Sequence, residues 1–262
     1  MSLIKTLFIS RYGDDGYIVQ ADYSQLEVVA IACLTGDGVL IQELKDGKDM
    51  HKASAEAYFQ IPYDEITKEN RTDAKPITFL IQYGGTSYGL SRELDIPEAK
   101  AQGYIDNYYG KYTGIKAAHD RWFLEGTNGK GLWRSPTGRY LMFPKNFNGT
   151  INEKKVKNYP GQSVATGDIV PLMLGVLYRK WLQQDQEFRD NCKLINTIHD
   201  SFIFDIHEKV LDKFYKWCDN EVLSHTNEYA KSVFGLDWPL QIKFDFEQGQ
   251  KWSELESINV SV

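Results

Sequence analysis

The sequence predicts an α+β protein in which a sheet built from both ends of the chain carries an inserted helical lobe. Three observations lead there. β-rich runs at 17–21, 193–198, 202–206 and 240–246 sit near the two ends, helical patterns fill most of the middle, and no repeat or low-complexity tract interrupts them. With 262 residues, 42% of them hydrophobic and 25% charged, the chain can form one large domain or two lobes with ample core.

The elements follow in order. Residues 17–21 read as a strand that delivers Asp22 at its end. Ser24 then reads as an N-cap, with Glu27 completing a capping box before the apolar run 28–34. Residues 50–59 and 71–83 read as helices. Pro97 opens another over 97–109, followed by one over 112–125 that the Gly-Thr-Asn-Gly stretch at 126–129 breaks. Pro136-Thr137-Gly138, between two short runs within 132–143, marks a hairpin. A long helix covers 162–183, where Pro171 kinks or splits it. The runs 193–198 and 202–206 flank His199-Asp200-Ser201 and predict a hairpin with Asp200 at its tip. Residues 207–226 are helical in pattern, and 240–246 form the last strand.

The formal net charge of −6 argues against uniform coating of nucleic acid, but the charge is unevenly spread. Residues 111–157 hold ten Lys/Arg against three Asp/Glu, while the remainder holds 20 basic against 33 acidic residues. That distribution fits a local phosphate track on an acidic body, and equally a solvated helix face. Cys33, Cys192 and Cys218 are widely spaced, without a C-x-x-C pair, which excludes a disulfide framework and points to a reducing compartment. The N-terminal residues lack a signal-peptide apolar region, and no apolar run approaches the roughly 20 residues of a membrane span. The expectation is a soluble, cytoplasmic protein with no membrane partner.

Arg71, Lys75, Phe79 and Tyr83 stand four residues apart, so on a helix they form one ridge. Two cations suit a polyphosphate, an aromatic face suits a base, and Gly84 stands where the helix could stop. The same spacing also fits an amphipathic helix with solvated cations at one end and core aromatics at the other. Asp22 and Asp200 end their runs 178 residues apart. On neighbouring strands they could hold hard divalent cations, since Mg²⁺ takes one or two carboxylates with waters and substrate phosphates. Singly, each fits an ordinary turn aspartate.

Together these blocks are specific. Asp22-Tyr23-Ser24-Gln25-Leu26-Glu27, the Arg71/Lys75/Phe79/Tyr83-Gly84 ladder and His199-Asp200 stand in the order of motifs A, B and C. Thr35-Gly36-Asp37, Asp49-Met50-His51, Leu90-Ser91-Arg92-Glu93-Leu94, Thr137-Gly138-Arg139, Asn158-x-Pro160-x-Gln162 and Trp252 also match. From about residue 10 onward the chain resembles the C-terminal polymerase region of family A (DNA polymerase I-like) enzymes, of bacteriophage type.

The resemblance implies an antiparallel palm sheet (1–50 and 126–262) with an inserted helical fingers lobe (51–125). It implies template-directed DNA synthesis, in which a primer 3′-hydroxyl attacks the α-phosphate of a dNTP and pyrophosphate leaves. Asp22 and Asp200 are the implied catalytic pair, holding two Mg²⁺ ions (Mn²⁺ as an alternative) with the Tyr23 carbonyl as a further ligand. Arg71 and Lys75 would bind the triphosphate with His51 near its phosphates. Phe79 would pack on sugar and base, Tyr83 would stack near the templating position, and Gln25 would complete the nucleotide-binding set. Glu27 beside Tyr83 would exclude a ribose 2′-hydroxyl. Lys154, Asn158 and Gln162 would face the primer–template minor groove, where similar acceptors on all base pairs report pairing geometry. His199 and Arg139 would add DNA contacts. In a phage, the compartment would be the host cytoplasm.

The pattern also departs from the family. Ser201 replaces the usual Glu after the motif C aspartate, Val29 stands where Arg is usual, and Lys154 stands where Arg is common. Pro76 after Lys75 predicts a ladder helix that starts late or kinks. Only 21 residues precede Asp22, too few for a thumb or an exonuclease domain. The expectation is therefore weak primer–template binding by this chain alone. A crystallisation fragment, a gene fragment and one subunit of a split polymerase all fit. The last would work with a separate thumb-bearing chain or a processivity factor, across an unpaired palm edge or exposed apolar surface. Two alternatives stand beside the polymerase: a non-catalytic DNA-binding or assembly subunit that retains the fold, and a metal-dependent nuclease.

Overall fold

In a computed structural model that describes residues 3–258, the chain divides into two compact units, Met1–Leu26 with Ala165–Val262, and Glu27–Val164. Its elements run β1 (Gly16–Tyr23), α1 (Leu26–Thr35), α2 (Gly38–Lys45), α3 (Met50–Phe59), α4 (Lys68–Gln82), α5 (Ser87–Leu94), α6 (Glu98–Lys111) and α7 (Thr113–Asn128). A short hairpin, β2 (Leu132–Arg134) and β3 (Tyr140–Met142), precedes α8 (Glu153–Val164). Then follow α9 (Val170–Leu182), α10 (Gln186–Asn191), β4 (Cys192–Ile198), β5 (Ser201–His207), α11 (Leu211–Trp217), α12 (Thr226–Phe234), β6 (Phe244–Gly249) and β7 (Glu256–Ile258).

The first unit is a five-stranded antiparallel sheet in the order β4-β5-β1-β6-β7, backed by helices. Alternation along β5 sends Phe202 and Phe204 to the helix-covered face and Ser201, Ile203 and Asp205 to the other. Phe204 meets Phe214 of α11 at 4.8 Å between ring centroids, and Phe214 meets Phe246 at 6.1 Å. On the opposite face, Trp252 packs on Ile18 and Ile203 and donates its indole hydrogen to Gln20 Oε1 at 3.1 Å. The N-terminal segment is tied to β5 by Asp205, which accepts from Ser10 Oγ at 2.6 Å and Arg11 Nε at 2.7 Å. Before it, Leu3, Ile4, Leu7 and Ile9 are exposed.

The second unit is helical. Asp37 caps α2 and Asp49 caps α3 through their side chains. Thr67 and Asn70 form a reciprocal capping box that starts α4. The hairpin β2–β3 and α8 close on α7 through Trp122, Trp133, Phe143, Ile151 and Val156. The chain passes from one unit to the other at 26/27 and 164/165; the palm–fingers reading has its boundaries at 50/51 and 125/126.

Several local expectations need correction. No capping box forms at α1: Gln25 takes a left-handed φ of 54°, and Ser24 Oγ donates to Asp245 Oδ2. The ladder helix starts early, at Lys68, because its capping box lies upstream of Arg71, and Pro76 is accommodated inside it. Helix α7 runs through Gly126 to Asn128; a Cβ at Gly126 would stand 2.8 Å from the Phe143 ring, so this glycine admits the ring and does not break the helix. The helix expected over 162–183 starts at Glu153 and passes through a π-helical stretch, Ala165–Ile169, before Pro171 sits near the start of α9, where no backbone donor is needed. The 207–226 segment is broken by a π-helical turn at Cys218–Val222, and the last long strand is β6 at Phe244–Gly249, later than 240–246.

Candidate active site

Asp22 lies on the central strand β1, and the register gives it two direct neighbours: Ser201 on β5 and Asp245 on β6. Asp200 occupies the tight turn between β4 and β5, which His199 makes possible with a left-handed φ of 54°. The Tyr23 N–H donates to the Asp200 carbonyl at 3.2 Å, fastening that turn to the end of β1. The two aspartates of the sequence reading are thereby brought to the same end of the sheet. Tyr23 is anchored at its other end by its buried phenol, 2.8 Å from Thr226 Oγ1.

The carboxylates crowd one another. Burial, then Asp200, Glu247 and Asp245, push the Asp22 carboxyl up to about 6, with His199 opposing. Asp200 is also raised, by burial, against its own backbone hydrogen bond and His199. Asp245 and Glu247 were not singled out from the sequence. Their signal was the alternation Asp245-Phe246-Glu247, which places both acids on the face that carries Asp22.

This donor set fits a hard divalent cation. It offers half-buried carboxylates whose shared charge holds on to protons, beside a backbone carbonyl at a strand end. Among the described residues no group of three or more His, Cys, Asp or Glu is arranged to hold a metal ion by itself. Mg²⁺ needs no such cage, because water and substrate phosphates complete its shell.

The ladder is assembled in the second unit. Arg71, Lys75 and Phe79 follow one face of α4, and Tyr83 caps its end. The Phe79 and Tyr83 rings lie parallel, 6.1 Å apart with 10° between planes, and His51 meets Phe79 edge-on at 5.3 Å. Phe79 is exposed. Tyr83 donates its phenol hydrogen to Glu27 Oε2 at 2.9 Å. Burial lowers the His51 imidazole; Asp49 opposes this, while Lys75 and Arg71 reinforce it. Among the described residues, His51 Nδ1 is buried without a hydrogen-bond partner. Arg71 is held by Asp49 at 2.6 Å, a pairing that spacing along one helix could not reveal.

Gly84 ends the ladder with φ +74°, and a Cβ there would come within 2.7 Å of Lys154 Cα. Lys154, Asn158 and Gln162 follow one another at four-residue spacing along α8. Lys154 and Gln162 are exposed and Asn158 is half-buried. Gln25, His199 and Arg139 are all exposed in turns or at a strand start. Val29 is buried, so the position where the family usually has Arg belongs here to the core. Ser201 is buried and donates to the Ile198 carbonyl at 2.9 Å, closing the hairpin without a second carboxylate.

The basic 111–157 segment is less of a track than its composition implied. Lys111 Nζ is internal, 2.8 Å from Glu43 and 2.7 Å from Glu56, and Lys116 and Lys157 pair along their own helices. Lys130, Arg134, Arg139, Lys145 and Lys154 are exposed.

Comparison with known proteins agrees with this arrangement. The DNA polymerase I of Pseudomonas aeruginosa is 28% identical over 256 residues, covering 96% of this chain and 26% of that protein. The DNA polymerase I of Bacillus subtilis is 30% identical over 243 residues, covering 91% of this chain and 26% of its own length. The chain thus spans about a quarter of these curated relatives. Both relatives are bacterial and lend no support to a bacteriophage type. The fold is similar to that of the POL domain of Pol1 from M. smegmatis, solved in complex with DNA primer-template and dNTP. That likeness has a TM-score of 0.72 at 22% identity and covers 95% of this chain and 42% of that one. Residues 1–254 match the sequence profile of DNA polymerase family A, and with the motif aspartates and ladder placed as described, the chain belongs to that family.

Proposed function

We propose that the chain carries the polymerase site of a DNA-directed DNA polymerase. The observation that carries the reading is the placement of Asp22 on the central strand with Asp200 in the adjoining turn, fastened by the Tyr23 N–H. The primer 3′-oxygen bonds to the α-phosphorus of a dNTP as the bond to the bridging oxygen breaks, and pyrophosphate leaves. Asp22, Asp200 and the Tyr23 carbonyl would hold two Mg²⁺ ions, or Mn²⁺ in their place. When bound, these ions neutralise phosphate charge and favour the deprotonated primer hydroxyl. Arg71 and Lys75 bind the triphosphate with His51 beside them, which offsets charge on the departing pyrophosphate. Phe79 packs on sugar and base, Tyr83 stacks near the template, and Glu27 bars a 2′-hydroxyl, with Gln25 in the same nucleotide set. Lys154, Asn158 and Gln162 contact the minor groove, and His199 and Arg139 make further DNA contacts.

Template-directed synthesis by this part of the family also accounts for an intact ladder, which hydrolysis would not need. A bacteriophage origin, a cytoplasmic location, and a partner chain supplying a thumb or processivity belong to the same reading. Among the described residues no helix is long and apolar enough to cross a membrane. The test is Mg²⁺-dependent primer extension by the chain, alone and with the product of a neighbouring gene, against Asp200→Asn. Extension that depends on Asp200 supports the catalytic reading. Extension that survives Asp200→Asn removes it, and DNA binding without extension in either case favours the non-catalytic assembly subunit.

A further inference from the structure

Asp49 uses one carboxylate for two tasks. Its Oδ1 accepts the Lys52 N–H at 2.8 Å and caps α3, while its Oδ2 accepts Arg71 Nε at 2.8 Å and Nη2 at 2.6 Å. Its own N–H is held by the Tyr63 hydroxyl at 3.1 Å, so the loop leading into the cap is also fixed. Burial works to raise this carboxyl, but the Arg71 and Lys52 hydrogen bonds outweigh it and hold the carboxyl below its ordinary range.

Both partners are 37% exposed in their side chains, and an ion pair so open to water adds little to stability. Its effect on geometry is larger. A guanidinium is a rigid plane with five donors, and gripping the Nε–Nη2 edge fixes the plane and leaves Nη1 on the other side. Among the described residues Nη1 makes no contact with a protein acceptor, and Lys75, one turn further along α4, is in no ion pair. His51, in the first turn of the helix that Asp49 caps, keeps its Nδ1 without a partner. Two cationic side chains, Arg71 and Lys75, are therefore left with capacity for an anion beside the carboxylate that orders the first of them.

We propose that Asp49 is a positioning residue for the nucleotide triphosphate, holding Arg71 in the orientation in which it receives phosphate oxygens. This rests on the reading of Arg71 and Lys75 as triphosphate ligands. The charge of Asp49 opposes an incoming anion, but the carboxylate is already compensated by Arg71 and by the N-terminus of α3, which it caps through the Lys52 N–H. The ordering of a long side chain before the ligand arrives then outweighs the residual repulsion.

The experiment is calorimetric titration of the full chain with Mg²⁺-dATP, using Asp49→Ala, Arg71→Ala and the double variant, with thermal unfolding measured alongside. Asp49→Ala weakens binding about tenfold, Arg71→Ala weakens it at least as much, and the double variant is no weaker than Arg71→Ala alone. Asp49→Asn has a single acceptor oxygen, which keeps the Lys52 cap and turns an NH₂ donor towards Arg71, so it weakens binding about tenfold with little change in melting temperature. It carries the test if the alanine variant does not fold. Unchanged or tighter binding in a folded Asp49 variant, or losses that multiply in the double variant, overturns the proposal. Normal binding by Arg71→Ala instead removes the triphosphate reading of Arg71.

Discussion

Tyr83 donates to Glu27 across 2.9 Å, joining the end of the ladder helix to the first turn of α1. The ring is held from its other side by the parallel stack on Phe79. Glu27 is thus fixed in direction by a donor outside its own helix, as its proposed exclusion of a ribose 2′-hydroxyl requires. Glu27→Ala should lower the preference for dNTP over rNTP by about tenfold or more, since one unfavourable polar contact is worth about 1–3 kcal/mol. Use of dNTP should fall less. The measurement is the ratio of kcat/KM for matched dNTP and rNTP incorporation, and an unchanged ratio would sink the gate.

Asp22 makes a prediction about stability. Its carboxyl is raised from 3.8 to about 6, so the folded state holds this proton more tightly than the unfolded one. Its contribution is present in full below the unfolded value and is lost as pH rises through about 6. At neutral pH the metal-free protein therefore carries a strained carboxylate. After discounting for its half exposure, removing that charge should return about 1 kcal/mol, or about 2–4 °C in Tm. Asp22→Asn should melt higher than the parent at about pH 7.5 and show no advantage near pH 4, while Mg²⁺ should raise the Tm of the parent more than that of the variant. A melting temperature unchanged across that range would remove the crowding argument.

Much of this architecture was legible because local signals and tertiary packing agree. The run ending at Asp22, the hairpin around Asp200 and the helix Met50–Phe59 are elements whose period and punctuation match their burial. The errors lie where a tertiary partner takes a residue that local chemistry had claimed. Glu27 looked like the acid of a capping box, but Tyr83 holds it; Ser24 looked like the cap, but Asp245 holds it. Gly126 looked like a helix breaker, but the Phe143 ring requires it. Asp49 was recognised only as part of a motif, because its tie to Arg71 joins positions 22 residues apart on different helices. π-helical turns carry no periodic signature strong enough to read in advance.

Gly84 is constrained twice. Its φ of +74° suits glycine, and the Lys154 backbone lies 2.7 Å from where a Cβ would be. A side chain there must push apart the end of α4 and the start of α8. Gly84→Ala should cost about 2–4 kcal/mol, combining left-handed backbone strain with a clash that no rotamer relieves. Urea unfolding measures it, and a loss below about 0.5 kcal/mol, the size of an ordinary surface change, would contradict the close approach.

Lys111 is the charged centre of the helical unit. Its ammonium reaches the Ala53 carbonyl at 2.7 Å, Glu56 at 2.7 Å and Glu43 at 2.8 Å, while the buried phenol of Tyr112 donates to the other oxygen of Glu43 at 2.8 Å. Helices α2, α3 and α6 are therefore tied through one cation. Lys111→Met keeps the aliphatic stem but strands Glu43, which is buried, beside Glu56 without compensation. Breaking such a cluster from one side costs about 3–5 kcal/mol, most of it the desolvation of the charge left behind. Glu43→Gln added to Lys111→Met should recover about half of the loss, because an amide can still accept from Tyr112 and carries no charge to desolvate. Equilibrium unfolding of the two single variants and the double variant tests this directly. If the double variant is the sum of the two singles, the buried charge is not what Lys111 compensates, and its role reduces to packing of the stem.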